Sequence, residues 1–113
     1  GARVRVDEVT VADVIADGLR RAGAARVFVA DGADATLVDA VRAADLPIID
    51  VPRAGAACAM AAVTGRLGEA PGVAIVAADD PAVRDALTAA ARDHAPVIVL
   101  APRPPVCFSS PHV

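Results

Sequence analysis

The segment that decides the fold, residues 26–51, reads RVFVADGADATLVDAVRAADLPIIDV. It begins with one short run, 26–30, that is apolar after Arg26, and ends with another, 47–51, in which Asp50 is the one charged residue. Between them Asp31-Gly32 predicts a turn, and residues 36–44 carry apolar side chains at helical spacing. Two short buried strands joined by a helix are typical of a crossover between parallel strands, because parallel neighbours need a long connection.

The same alternation extends toward the amino terminus. Thr10, with Asp13 three residues later, predicts a helix start close to a capping box. Gly23 predicts the end of this helix. Its core-facing stripe is expected to comprise Val11, Val14, Ile15, Leu19 and Ala22.

Toward the carboxyl terminus the alternation continues twice more. Helices are expected over 55–67 and from an Asp80 N-cap, with Pro81 in the first turn, to about residue 93. Strands are expected over 73–77 and 97–101. Four short, continuous apolar strands separated by helices predict a parallel sheet covered on both faces, a three-layer α/β domain. We assign residues 1–102 to this single domain and expect the Pro-rich residues 103–113 to be an extended or disordered tail.

Composition excludes several kinds of chemistry. The 113 residues include eleven Arg and no Lys, against twelve Asp and two Glu, for a net charge of −3. Without Lys there is no Schiff base and no phosphate-loop lysine. Tyr and Trp are absent, and Phe occurs only at 28 and 108, so no aromatic platform exists for single-stranded nucleic acid. We therefore expect no nucleic-acid partner.

Membrane association is not expected either. The longest run without a charge, Ala54 to Gly65, is well short of the roughly 20 residues that span a bilayer. Two cysteines, Cys58 and Cys107, do not form a disulfide framework, which favours a reducing, cytoplasmic location.

Candidate functional residues follow the predicted strands, because ligands of open parallel sheets gather at the carboxyl ends of the strands. One interpretation is a divalent-cation site built from Asp31, Asp79 and Asp80. The competing interpretation is structural: Asp31 is a turn residue, Asp79 is solvated, and Asp80 caps a helix. A phosphate cradle over residues 31–34 is disfavoured because its two carboxylates would repel phosphate.

The sequence favours no nucleophile. Ser109, Ser110 and His112 lie in the tail, Cys58 lies in an Ala-rich helix, and His94 follows a helix. None shows the arrangement of a Ser–His–Asp or Cys–His site.

The Ala-rich helix is apolar almost all round. Such a helix is either packed centrally within its own domain or in contact with a partner. Both interpretations can hold together.

Five stretches taken together are more specific than any of them alone: 10–23 (TVADVIADGLRRAG), 26–28 (RVF), 51–62 (VPRAGAACAMAA), 71–76 (PGVAIV) and 95–100 (APVIVL). In this order and spacing, over residues 8–101, they resemble the N-terminal pyrimidine-binding (PYR) domain of thiamine-diphosphate enzymes. The group resembled contains acetolactate synthase, benzoylformate decarboxylase and pyruvate decarboxylase. The resemblance implies a flavodoxin-like fold, a homodimer through the Ala54–Leu67 helix, and a site for thiamine diphosphate with Mg²⁺. That site would be shared with a separate pyrophosphate-binding (PP) domain.

The chain departs from this family at the positions that contact the cofactor. A Gly-x-Pro-Gly-Gly turn after the first strand is reduced to residues 29–33, VADGA. The family has a His-Glu pair at the start of the Ala-rich helix, where this chain has Arg53-Ala54. The family also has a Gly-Pro-Gly turn and a following Asn after the third strand. Here that turn is replaced by Asp79-Asp80-Pro81, and Arg84 stands near the Asn position. The positions at which the resemblance implies cofactor contact are Gly32, Arg53, Ala54, Asp79, Asp80 and Arg84.

The residue at position 54 matters most for activity. In the family a glutamate there hydrogen-bonds the aminopyrimidine ring and promotes the tautomer that deprotonates the thiazolium carbon. Ala54 cannot exchange a proton, and Glu69, near the far end of the helix, cannot replace it. Some relatives, such as glyoxylate carboligase, have an apolar residue here and are active. Because Ala54 occupies the glutamate position we assign no catalytic residue in this chain, although these relatives show that the missing glutamate does not by itself exclude catalysis.

Three hypotheses follow from these observations. The first is a PYR-like module that is not catalytic alone and acts as a subunit or as a degenerate assembly or regulatory partner. The second is an active component of a two-chain 2-oxo-acid decarboxylase or carboligase completed by a PP-domain chain. The third is a small α/β domain that binds a metal or another ligand through Asp31, Asp79 and Asp80.

Overall fold

Eight elements alternate along the part of the chain described by the computed structural model, residues 10–77 and 80–102. The helices are α1 (Val11–Arg21), α2 (Ala35–Ala43), α3 (Ala54–Leu67) and α4 (Ala82–Arg92), and the strands are β1 (Val27–Val29), β2 (Ile48–Asp50), β3 (Gly72–Ile75) and β4 (Val97–Leu100). Every predicted helix and strand is present, with ends shifted by one or two residues. The predicted tail, 103–113, lies outside the described residues.

The four strands form one parallel sheet in the order β2-β1-β3-β4. Phe28 in β1 lies opposite Ile49 of β2 on one side and Ala74 of β3 on the other. From β1 the chain crosses to β2 at one edge of the sheet. From β2 it returns past β1 to β3 and then to β4 at the opposite edge. Connections of a single hand then place α2 on one face and α3 and α4 on the other, as observed. The three-layer, flavodoxin-like α/β fold is therefore confirmed.

Each face of the sheet has its own hydrophobic core, because successive strand residues point to opposite faces. On one face Val27, Val29, Val73 and Ile75 pack with residues of α1 and α2. On the other face the β1 and β3 residues in between, with Phe28 the largest, pack with α3 and part of α4. Both sides of the two central strands are therefore buried, which explains why they read as continuous apolar runs.

Helix α1 begins and ends as predicted, but its buried face is rotated from the predicted stripe. The Thr10 hydroxyl accepts a hydrogen bond from the Asp13 N–H, and the Asp13 carboxylate accepts one from the Thr10 N–H, which completes a capping box. Gly23 follows the helix at φ +87°. The prediction was wrong for three of five stripe residues: Val11, Val14 and Ala22 are exposed, and Ala16 joins Leu19 as the buried pair.

Helix α3 buries one side and exposes the other. Its buried residues are all small: Ala54, Ala57, Cys58, Ala61 and Gly65. Its exposed side carries Met60, Val63 and Leu67 at helical spacing. The central-packing interpretation is therefore confirmed for one side of α3, and the partner interpretation for the other stays a prediction.

Helix α4 begins one residue later than expected. Pro81 immediately precedes the helix, and the Asp80 carboxylate accepts a hydrogen bond from the Ala82 N–H at 2.9 Å. Asp80 thus caps the helix start through its side chain, although the N-cap position itself belongs to Pro81. Within residues 10–77 and 80–102, no helix combines the length and the apolar character needed to cross a membrane.

Candidate functional site

The candidate site lies where the strand order reverses. From the neighbouring strands β1 and β3 the chain continues in opposite directions, to β2 and to β4. A crevice opens outside the carboxyl ends of such strands and is the usual ligand position in open parallel sheets. Asp31 follows β1 and Asp80 follows β3, so one carboxylate comes from each side of this point.

A cavity of about 510 Å³ occupies this position. Three elements contribute to its wall: the turn after β1, the start of α3 and the start of α4. The lining residues are Asp31, Pro52, Arg53, Ala54, Gly55, Ala56, Asp80 and Ala82.

The start of α3 forms the centre of the wall. Ala54 is the first residue of the helix and is only 4% exposed. Arg53 stands at the N-cap position and makes no side-chain capping hydrogen bond. The Asp31 N–H donates to the Pro52 carbonyl at 3.1 Å, which ties the end of β1 to the turn before α3. Two chain segments that are distant in sequence therefore meet in a defined arrangement.

The starts of α3 and α4 approach closely because their side chains are small. A Cβ atom at Gly55 would lie 3.4 Å from the Ala82 Cβ. The Asp80 carboxylate is held next to this contact by its hydrogen bond to the Ala82 N–H.

Cys58 lies one helical turn beyond Ala54, on the buried side of α3. Burial raises the pKa of its thiol, and the negative charge of Asp80 raises the pKa further. The thiol is therefore protonated at neutral pH, and it packs with the core below the cavity rather than acting as a nucleophile.

Three of the six predicted cofactor-contact residues come together in the cavity wall: Arg53, Ala54 and Asp80. Gly32 lies in the turn after β1 at φ +82°, next to Ala77, and is not among the lining residues. Arg84 is exposed in the first turn of α4 and is also not among them. Asp79 lies outside the described residues.

Sequence reasoning missed four lining residues. These are Pro52, Gly55, Ala56 and Ala82. Their side chains carry no reactive group, so only their position beside predicted strand ends or helix starts could have indicated them.

The metal hypothesis gains no support from the described part of the chain. Across residues 10–77 and 80–102, no group of three or more His, Cys, Asp or Glu side chains is arranged to hold a metal ion. Asp31 is an exposed turn residue and Asp80 binds the start of α4, and both roles match the structural interpretation of these carboxylates.

The chemistry of the wall is therefore limited. Carboxylates at Asp31 and Asp80 can accept hydrogen bonds, and Arg53 can pair with an anion. The remaining lining residues are Pro, Ala and Gly, which leave room for a flat group to lie against the start of α3. The described lining residues contain no histidine, thiol or hydroxyl side chain that could exchange a proton near pH 7.

Comparison with known protein families identifies the domain. Residues 9–112 match the family model described as thiamine pyrophosphate enzyme, N-terminal TPP binding domain. The chain belongs to this family. The family is described as binding thiamine pyrophosphate (TPP), which is another name for thiamine diphosphate. The comparisons with curated proteins and with solved structures returned no match.

Proposed function

We propose that this TPP-binding domain is a pyrimidine-side module that does not catalyse a reaction on its own. It acts as a non-catalytic subunit, or as a degenerate assembly or regulatory partner, of a thiamine-diphosphate enzyme, and pairing with the PP domain of another chain does not by itself make it active. The observation that carries the proposal is Ala54, a nearly buried methyl group at the centre of the cavity wall.

In this proposal the cavity receives the aminopyrimidine half of the cofactor. Small residues at the start of α3 would lie against the ring, and Asp31 or Asp80 would accept a hydrogen bond from its amino group. When bound, thiamine diphosphate supplies a thiazolium carbon that stabilises carbanions. Among the described lining residues Arg53 is the one cation, and the Asp31 and Asp80 carboxylates would repel the negatively charged diphosphate group. The diphosphate half is accordingly assigned to the PP domain.

The absence of a carboxyl group at position 54 explains why we assign no catalysis to the module. General acid–base catalysis contributes roughly 10²–10⁴ in rate, and it needs a titratable group within hydrogen-bond reach of the reacting proton. By the resemblance, position 54 is where the family has its glutamate. An alanine at this position removes the group without closing the cavity.

A homodimer through α3 forms part of the proposal. The exposed side of α3 carries Met60, Val63 and Leu67, of which Leu67 is 83% exposed. A groove of about 380 Å³ lies beside the first two, lined also by Phe28 and Ile49. Large exposed apolar side chains beside an apolar groove mark an interaction surface. A second copy of α3 would present the same side chains to the groove and bury both.

The second candidate function is an active component of a two-chain 2-oxo-acid decarboxylase or carboligase. The observation that favours it is the pair of carboxylates in the wall, Asp31 and Asp80. In this case one of them, rather than residue 54, would face the aminopyrimidine ring.

A calorimetric titration of thiamine diphosphate with Mg²⁺ into the purified chain tests the first proposal. We expect no saturable binding at micromolar cofactor, because the module lacks both the activating carboxyl and the diphosphate-binding half. Micromolar binding by the unaltered chain would contradict the proposal.

Reconstitution with a PP-domain chain distinguishes the two candidates. With the unaltered chain we expect no turnover of 2-oxo acids above background, and turnover would support the active-component function instead. Ala54→Glu is expected to raise turnover by about 10² or more, since it adds a titratable carboxyl to the wall. Ala35→Glu, at the exposed first residue of α2 and outside this cavity, is the matched control and is expected to have no effect.

A further inference from the structure

A second apolar groove lies on the opposite face of the sheet from α3. It has a volume of about 440 Å³ and opens between the starts of α1 and α2. Its walls are mainly apolar, and Val11, which lines it, is 75% exposed. The lining residues are Thr10, Val11, Ala12, Ile15, Asp34, Thr36, Leu37 and Pro102.

The chain itself leads into this groove after β4. Leu100, the last residue of β4, packs against the core formed with α1 and α2, and Pro102 is part of the groove wall. The residues that follow therefore start at the groove. No long connection is needed to reach it.

The residues after Pro102 have the composition of a groove occupant. Arg103 is followed by an uncharged stretch that begins Pro104-Pro-Val-Cys-Phe108, and Phe108 is one of only two Phe residues in a chain without Tyr or Trp. A Pro-rich segment rises about 3.1 Å per residue, so Phe108 reaches about 19 Å from Pro102. Helix α1, with 11 residues, is about 16 Å long, so the whole groove is within reach.

The amino-terminal residues are the poorer occupant. Residues 1–9 also adjoin the groove, through Thr10, but they carry four charged side chains: Arg3, Arg5, Asp7 and Glu8. Placing them against Val11 and Ile15 would remove charges from water without partners.

The family match supports the same assignment. It does not stop at β4 but continues to residue 112, so the residues after Pro102 follow the sequence pattern of the domain. This continuity favours a packing role for the segment.

We propose that residues 104–108 dock into the groove between α1 and α2, with Phe108 covering Val11. This docking completes the apolar core on that face of the sheet. It is independent of whether the domain binds thiamine diphosphate.

Cys107 provides a probe inside the proposed segment. Under native conditions its alkylation in the full chain is measured by peptide mass spectrometry and compared with its rate in denaturant. Docking of an aromatic ring buries enough apolar area to slow the reaction by about tenfold or more. Cys58, which is buried in α3, serves as the internal control for global unfolding.

Two variants of α1 make the test specific. Val11→Ser removes a groove contact and is expected to raise the Cys107 rate several-fold while leaving the Cys58 rate unchanged. Val14→Ser, at another exposed valine of the same helix that does not line the groove, is expected to change neither rate. Phe108→Ala is expected to reproduce the effect of Val11→Ser.

Three results would overturn the proposal. The first is a native Cys107 rate equal to that of the unfolded chain. The second is an equal response to Val11→Ser and Val14→Ser. The third is protection that disappears on dilution, which would indicate that a second copy occupies the groove.

Discussion

At the scale of single residues, Asp45 shows how the chain leaves a helix without glycine. Asp45 follows α2 with φ +63°, in the left-handed region that is unfavourable for a residue with a Cβ atom. We expect Asp45→Gly to raise the free energy of unfolding by about 0.5–1 kcal/mol in chemical denaturation. The neighbouring Ala44 has φ −85°, so Ala44→Gly should lower the free energy of unfolding instead. Equal effects of the two substitutions would contradict this explanation.

Cys58 links the core to the candidate site through its protonation state. Its pKa is raised above 9.0, first by burial and second by the charge of Asp80. The thiol of the unfolded chain ionises at lower pH than the folded one, so the free energy of unfolding should decrease as pH rises above about 9. Alkylation of Cys58 should likewise be slow at neutral pH.

Asp80→Asn tests the contribution of Asp80 to that pKa. Its amide oxygen can still accept from the Ala82 N–H, and removal of the charge should move the pH profile of Cys58 alkylation to lower pH. Asp85→Asn, which neutralises an exposed carboxylate of α4, is the control and should leave the profile in place. An unchanged profile in Asp80→Asn would mean that burial alone raises the pKa.

At the scale of elements, two glycines set the distance between α3 and the sheet. A Cβ atom on Gly72 at the start of β3 would overlap with the Ala61 carbonyl of α3. A Cβ atom on Gly65 would overlap with the Pro96 carbonyl before β4. Both clashes are with backbone, which cannot rotate away. We therefore expect Gly72→Ala and Gly65→Ala each to lower the free energy of unfolding by about 3 kcal/mol or more in chemical denaturation.

Gly18 is the matched control for these substitutions. It lies in the middle of α1. Apart from its chain neighbours and the nearby backbone of α1 itself, no atom lies within 4 Å of a Cβ added at Gly18. Gly18→Ala should therefore stabilise the protein by about 0.5–1 kcal/mol, since alanine loses less backbone entropy in a helix. A loss of stability in Gly18→Ala comparable to that in Gly72→Ala would refute the steric explanation.

At the scale of the whole molecule, the proposed homodimer predicts a concentration-dependent mass. Leu67→Asp places a charge on the exposed side of α3 and should raise the dimer dissociation constant by at least about tenfold in sedimentation experiments. Val14→Asp introduces the same charge at an exposed valine on the other face of the sheet and should leave the constant unchanged. A monomer at all concentrations for the unaltered chain would rule out this interface.

The exposed ion pairs contribute little at this scale. Arg21 and Asp17 are 2.9 Å apart and Arg66 and Asp93 are 3.9 Å apart, and in both pairs the side chains are at least half exposed. Exposed pairs of this kind contribute about 0–1 kcal/mol. The stability of the domain therefore depends on the two cores and on the close approach of α3 to the sheet.

The sequence by itself determined the order, type and parallel arrangement of the elements. Strands buried on both faces must be apolar without interruption, and Thr10 and Gly23 provide local helix signals that need no tertiary contact. It also predicted the edge of the sheet at which the cavity opens, because the carboxyl ends of parallel strands share one edge. Only the tertiary structure decided which residues line the cavity and which side of α1 is buried. Those outcomes depend on how closely whole helices approach, as at Gly55 and Ala82, and side chains as small as these leave no chemical pattern in the sequence.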